Sequence, residues 1–297
     1  MVEVSKIIEK FKNVNETDSK NILVLLDNSN YIIGKHNDGI CFVVRSKGGQ
    51  RKKYKNGEMS ISLNSSYLLN KKQGEYSVIF YRNHDERKIK IFVETMMNCV
   101  KEEKVDSESL FQIYSDISDV FKSIPFDYKA YIGTFGELLF IKYVFDLIKI
   151  NMVSYYESTT KHLVDFKFND LVFEIKTTSS NDRKHIINNE QLRGNGFLCS
   201  IRIAEDNSGT SILELFQSIK PLFDKNPIRL SYIENYLLSV PPKQLSEKFN
   251  VNYENIRLYN FALIPKFENY HESISNIKFT INLTSFDSFD IKKILIK

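Results

Sequence analysis

The chain has 297 residues, 42% apolar and 26% charged, which excludes wholesale disorder and suits one large domain or two ordinary ones. A net charge of +4 permits nucleic-acid binding without demanding it. Cys41, Cys99 and Cys199 are far apart, odd in number and without a CxxC, which argues against a disulfide frame or zinc ribbon and for a reducing compartment.

MVEVSKIIEKFKN at the N-terminus reads as a short amphipathic helix with Ile7, Ile8 and Phe11 on one side. It lacks the apolar core of a signal peptide, and no apolar run is long enough to span a membrane. A cytoplasmic protein with no membrane partner is therefore expected.

Residues 21–95 read as β-rich. NILVLLDN, GICFVVRS, EMSISLNSSYLL, YSVIFYR and KIKIFVETM are short runs of β-branched and aromatic residues between turn clusters. NHDER would join YSVIFYR to KIKIFVE as a hairpin loop. The tract RSKGGQRKKYKNGE carries Arg51, Lys52 and Lys53 among its cations. It has two readings: a solvated loop tip, the commoner fate of such runs, or a phosphate-contacting loop.

Leu110, Ile113, Tyr114, Ile117, Val120 and Phe121 recur at helical spacing, with Asp106 or Ser107 able to cap the start. SIPF breaks that pattern and places a boundary near Pro125. A more apolar helix should run from Asp127 to about Lys149. MVSYYES follows as a strand, HLVDFKFNDLVFEIKTT as a hairpin, NNEQLRG as a helix and FLCSIRIAE as a strand. Further on, SILE offers a capping box from Ser211 to Glu214. A helix over roughly Ile228 to Leu238 and the strands LYNFALIP and IKFTINL complete the order. Three segments result: a β-rich accessory domain with helical ends over 1–124, a core over 125–205, and a C-terminal α+β segment over 206–297 that completes the fold.

The hairpin carries the chemistry. With Asn169-Asp170 as its turn, the pairs are Phe168 with Leu171, Lys167 with Val172, Phe166 with Phe173, Asp165 with Glu174 and Val164 with Ile175. One face is then wholly apolar and must be buried, which specifies the register. The other face holds Asp165, Lys167, Glu174 and Lys176. Two acids opposed at ~5 Å repel each other. A divalent ion, taking oxygens at ~2.1 Å in the case of Mg²⁺, would turn that repulsion into coordination. Plain solvation of a half-exposed hairpin is the alternative.

In GTFGELLFIKYVFDLIK the polar stripe is Lys142, Asp146 and Lys149, and Glu137 points about 140° away from it. A lone carboxylate on that face needs a partner cation or a metal. Gly133 and Gly136 leave room for close approach there. One reading covers all four residues: Glu137, Asp165 and Glu174 hold a hard cation, with Lys176 beside it. Phosphodiester hydrolysis fits that set, with Lys176 deprotonating a water, orienting it or stabilising charge.

The order helix-Glu137, strand-Asp165, then Glu174-Ile175-Lys176 resembles the PD-(D/E)XK nuclease superfamily. IGTFGELLF, HLVDFKF, FEIKTT and NNEQL look like a branch of it found beside restriction-modification and phage-defence genes. Val164 stands where the superfamily name has Pro. The resemblance implies an α/β restriction-endonuclease-like core, a central mixed sheet flanked by helices, behind the β-rich domain. It implies Mg²⁺-dependent DNA cleavage, with Mn²⁺ as a substitute ion, other defence-system proteins as partners, and room for a homodimer. Gln191 matches a Gln that contributes to the site in some relatives, with an ordinary exposed helix Gln as the alternative, and Glu157 is a spare acid on the preceding strand. Thr177, Thr178, Arg183, Lys184, His185 and Arg193 cluster after the third acid and have two readings, contacts to the phosphate backbone or ordinary surface residues. No HxH or HxxxH spacing links His162 or His185 to zinc. The rival class is a non-catalytic nucleic-acid-binding or assembly subunit on the same fold, and a third reading, an RNA nuclease or repair enzyme, keeps the chemistry and changes the substrate.

Overall fold

A computed structural model describes residues 2–14, 21–28, 30–37, 39–100, 105–122, 125–157, 163–267, 271 and 276–296. The chain divides into two compact units. The first comprises Met1–Pro125 with Leu230–Ser239, and the second Phe126–Arg229 with Val240–Lys297. The segment 206–297 is thus shared between them.

The first unit opens with α1 (Val2–Asn13), which buries Ile7, Ile8 and Phe11 as their spacing predicts. Six strands follow: β1 (Asn21–Asp27), β2 (Ile32–His36), β3 (Gly39–Arg45), β4 (Lys52–Asn56), β5 (Met59–Leu69) and β6 (Lys72–Tyr81). Their order is β1-β2-β3-β6-β5-β4. The far end of β5 also pairs in parallel with β1, at Asn21–Leu68 and Ile22–Leu69. That pairing closes five strands into a ring and leaves β4 as an outer edge. Ile22, Ile32, Cys41, Val43, Val78 and Phe80 fill the enclosed core.

KIKIFVE is not a strand. It lies in α2 (Glu86–Cys99), capped by Asp85, whose carboxylate accepts the Arg87 N–H at 2.9 Å. Its buried Ile89, Phe92, Val93 and Met96 have helical period, and burial of that stripe outweighs the β-propensity of the individual residues. α3 (Ser107–Ile117) starts at the Asp106 cap and buries Leu110, Tyr114 and Ile117. Residues 230–239 complete this unit. Asn235 donates to the Val120 carbonyl at 2.7 Å, and Ser231 hydrogen-bonds Thr95.

In the second unit α4 (Tyr128–Ile148) runs between its Asp127 cap and Lys149, as expected. MVSYYES forms a 3-10 turn over Met152–Tyr155 instead of a strand, because Asn151 caps the Val153 N–H. Among its described residues only Tyr156 makes a bridge, to Phe166. β7 (Phe166–Phe168), β8 (Leu171–Thr178), β9 (Lys184–Asn188), β10 (Gly196–Arg202) and β11 (Glu205–Ser211) come next. α5 (Ile212–Ile219) carries the predicted Ser211–Glu214 capping box. α6 (Pro227–Ser239) starts in the second unit and ends in the first, and α7 (Pro242–Leu245), β12 (Lys248–Phe249), β13 (Ile256–Asn260), β14 (Lys278–Asn282) and α8 (Ile291–Leu295) finish the chain.

The central sheet has the order β13-β10-β8-β7. β8 and β10 are parallel and the outer pairs antiparallel, so the sheet is mixed. α4 lies on the face that bears Phe173 and Thr177. The Phe140 ring sits 5.1 Å from Phe166 and 5.5 Å from Phe173. A Cβ at Gly136 would stand 1.8 Å from Thr177 Oγ1, so only glycine allows this approach. No helix among the described residues is long and apolar enough to cross a membrane.

Candidate active site

The hairpin folds in the predicted register from its turn outward. Asn169 takes a left-handed φ of 52°, and Phe168–Leu171, Lys167–Val172 and Phe166–Phe173 pair. There the ladder stops. The Asp165 N–H bonds to the Phe173 carbonyl at 3.1 Å, while the Asp165 carbonyl accepts from Glu157 N–H at 2.8 Å. The Asp165 side chain turns back, and its Oδ2 accepts the Ile175 N–H at 2.6 Å. The expected pairs Asp165–Glu174 and Val164–Ile175 are therefore absent from the ladder. The carboxylate satisfies a strand N–H that a further ladder pair would otherwise have used.

Glu174 is buried on β8, on the sheet face opposite α4. Its Oε1 accepts from Gln191 Nε2 and from Lys176 Nζ, each at 2.6 Å. Its Oε2 is buried with no hydrogen-bond partner. Gln191 sits in a 3-10 turn over Asn189–Leu192, not a full helix. A capping box fixes it, since its side-chain Oε1 accepts the Asn188 N–H at 3.1 Å. Glu137 accepts from the Tyr156 hydroxyl, and the Tyr156 ring stacks on Phe166 at 5.0 Å. Tyr156 was not foreseen: in a run read as a strand it is one more β-former, and no spacing marks it.

Electrostatics ties the three acids together. Burial is the first cause that lifts the Glu137 carboxyl above its ordinary range, followed by the Asp165 charge. Burial, then Asp165, lifts Glu174 in the same way, against the pull of Lys176 and Gln191. Burial raises Asp165 too, against the Ile175 N–H and the Lys176 charge. Asp165 is the charge that both glutamates feel most.

Among the described residues, no three His, Cys, Asp or Glu side chains stand as a ready metal cluster. The predicted trio is an electrostatic group and not a preformed cage, with Glu137 engaged by Tyr156. In donor chemistry the site still fits a hard divalent ion. It offers carboxylate oxygens held near neutrality by burial, and one buried Glu174 oxygen that nothing satisfies.

The expected phosphate contacts divide. Arg183 is buried, donating to Ser200 O at 2.7 Å, Ser200 Oγ at 3.0 Å and Asn255 O at 2.8 Å. His185 is buried with Nε2 at 2.7 Å from Ser200 Oγ, and burial, then the Lys176 and Arg183 charges, push its pKa down to about 4. Both brace the sheet and are corrected from phosphate contacts to structural residues. Thr177 is corrected likewise, because its Oγ1 is buried beside Gly136. Thr178 is half-buried, and its hydroxyl accepts the Ser180 N–H at 3.1 Å. Lys184 and Arg193 are exposed, at 3.0 Å from Asp182 and 3.7 Å from Glu190. Arg51, Lys52 and Lys53 are exposed in the first unit, where Arg51 lies 3.2 Å from Glu75. The basic tract is thus partly strand β4, not one loop. His162 lies outside the described residues.

A helix laid on a mixed sheet, an aspartate where the hairpin parts, and Glu-x-Lys on the strand beside a parallel neighbour define the PD-(D/E)XK nuclease-like fold class, with a β-rich region ahead of it. The chain belongs to the family described as "Putative PD-(D/E)XK family member, (DUF4420)", whose model matches residues 9–284. No curated protein and no solved structure matches the chain.

Proposed function

We propose that the second unit is a divalent-ion-dependent endonuclease that hydrolyses DNA phosphodiester bonds, working in a restriction or phage-defence system. The observation that carries the reading is Glu174: one oxygen gripped by Gln191 and Lys176, the other buried and unsatisfied. Asp165 and Glu174 would hold Mg²⁺, or Mn²⁺ in its place, and Glu137 would add negative charge from α4. The bound ion supplies charge for a phosphate oxygen and acidity for a water. Lys176 brings an ammonium to the same face and stabilises charge on the phosphate. Gln191 orients Glu174, and Tyr156 orients Glu137. Thr178, Lys184 and Arg193, with Arg51, Lys52 and Lys53 of the first unit, are the candidates for phosphate contact that remain. The defence setting, its partner proteins and a homodimer rest on the resemblance of the motifs.

The test is cleavage of plasmid, linear, modified and single-stranded substrates with Mg²⁺ or Mn²⁺, beside calorimetric Mn²⁺ titration. Asp165→Ala and Glu174→Ala should abolish cleavage and weaken ion binding with the fold intact. Lys176→Ala should slow cleavage by about 100-fold or more while keeping the ion. Unchanged Mn²⁺ binding in both acid variants would overturn the site. DNA binding by the parent with no cleavage of any substrate would favour a non-catalytic binding or assembly subunit.

A further inference from the structure

The inner face of the first unit's sheet changes character from strand to strand. Two adjacent cross-strand rows show it: Ile32, Val43, Val78, Ser62, Lys53 and Gly34, Cys41, Phe80, Ser60, Lys55. Directly paired residues share a face, so each row runs from apolar through hydroxyl to ammonium on one surface. A face that only enclosed a core would stay apolar. Here it opens instead into a cleft of about 570 Å³, whose lining includes Lys53, Lys55, Ser60, Ser62, Tyr67 and Phe80 and no acid. A break in the β5 ladder between Ser62 and Ser65, with Asn64 at φ 48°, bends the strand beside it.

We propose that this cleft binds single-stranded nucleic acid, separately from the carboxylates of the second unit. Lys53 and Lys55 project from one side of β4 about 6.8 Å apart, so neighbouring phosphates of one strand can each meet an ammonium. The floor is aromatic. Phe80 lies 5.0 Å from the His36 ring and 5.8 Å from Tyr67, and the half-buried Tyr67 offers ring surface to a base. Stacking of this kind suits unpaired bases, whose faces a duplex hides. An acidic peptide would use the lysines and leave the rings idle. Inward lysines on an edge strand can also serve only to block edge-to-edge association. The cleft and its ring floor go beyond that need.

The full chain is tested in the absence of divalent ions, by fluorescence anisotropy with a short fluorescein-labelled oligothymidylate at several salt concentrations. The parent should bind. Lys53→Gln with Lys55→Gln should weaken binding at least tenfold and flatten the slope of log affinity against log salt by about 1.4, at about 0.7 per phosphate on a single strand. Tyr67→Leu should weaken binding and leave the slope unchanged. Lys6→Gln with Lys72→Gln, the same loss of charge outside the cleft, should change neither. Asp165→Ala should bind the probe like the parent, which separates this site from the nuclease reading. Equal loss in the control pair, equal competition by polyglutamate, or self-association of the Lys53/Lys55 variant with binding intact would each overturn the proposal.

Discussion

Replacing Gly136 by alanine sets two effects of known sign against each other. In a solvated helix the change stabilises by about 1 kcal/mol. At this position the new Cβ would stand 1.8 Å from Thr177 Oγ1, 3.1 Å from Thr177 Cβ and 3.4 Å from its Cγ2. Thr177 belongs to β8 and is held there in the parallel ladder opposite Ile201 of β10, so its backbone has little room to yield. Overpacking of a fitted contact costs about 1–3 kcal/mol. The net expectation is a loss of about 0–2 kcal/mol where helix propensity alone predicts a gain. Thr177→Ala removes Oγ1 and Cγ2 and leaves only the tight Cβ contact. The double variant should therefore be more stable than the sum of the single changes by about 1–2 kcal/mol. Urea unfolding of the four proteins measures this, with unchanged m-values as the sign that only stability has moved. Because Glu137 is the next residue on α4, Gly136→Ala should also alter Mn²⁺ affinity. A Gly136→Ala protein more stable than its parent, with strictly additive effects at Thr177, would refute the close packing of α4 on β8.

Two further outcomes follow from the same unit. Glu137, Asp165 and Glu174 are all held above the ordinary carboxyl range, so the folded apo protein keeps protons that the unfolded chain has released. Their stabilising contribution is complete below about pH 4 and is lost as pH rises through the folded values, so Mg²⁺ should raise Tm more at about pH 8 than at about pH 5; an equal rise at both, read by thermal scans against EDTA, would count against the ion site. Arg183→Ala removes the guanidinium donor from Ser200 O, Ser200 Oγ and Asn255 O, leaving Ser200 Oγ with His185. It should cost about 2–4 kcal/mol in denaturant unfolding and leave the salt slope of DNA binding unchanged; a flatter slope would return Arg183 to the phosphates.

Local rules carried the sequence reading a long way. The Asn169 turn and the alternation of Phe166, Phe168, Leu171 and Phe173 were enough for the hairpin register. Asp127 and the Ser211–Glu214 box marked helix starts because a cap is decided within a few residues. What failed depended on distant partners. Asp165 leaves the ladder because a side-chain oxygen competes for the Ile175 N–H, which alternation alone does not register. Arg183 and His185 look like surface cations in a polar run, but both are buried against Ser200, and β9 pairs with β14 almost a hundred residues on. The α2 segment is rich in β-branched residues, and only the 3.6 period of Ile89, Phe92, Val93 and Met96 reveals the helix.

The path of α6 bears on how this protein can be dissected and how it can change over generations. Residues 230–239 belong to the first unit, yet both of their flanks belong to the second. A fragment ending at Pro125 would keep the ring of strands but lose the helix segment whose Asn235 meets the Val120 carbonyl and whose Ser231 meets Thr95. It would also lack the buried Ile233 and Leu237, and its recombinant yield should recover only when a peptide covering 230–239 is supplied in trans or grafted back through a linker. The reciprocal fragment would carry that helix with nothing to cover it. Neither half is a cassette that a single crossover could move into another gene, so the two are inherited together, as the single family match over 9–284 already has them.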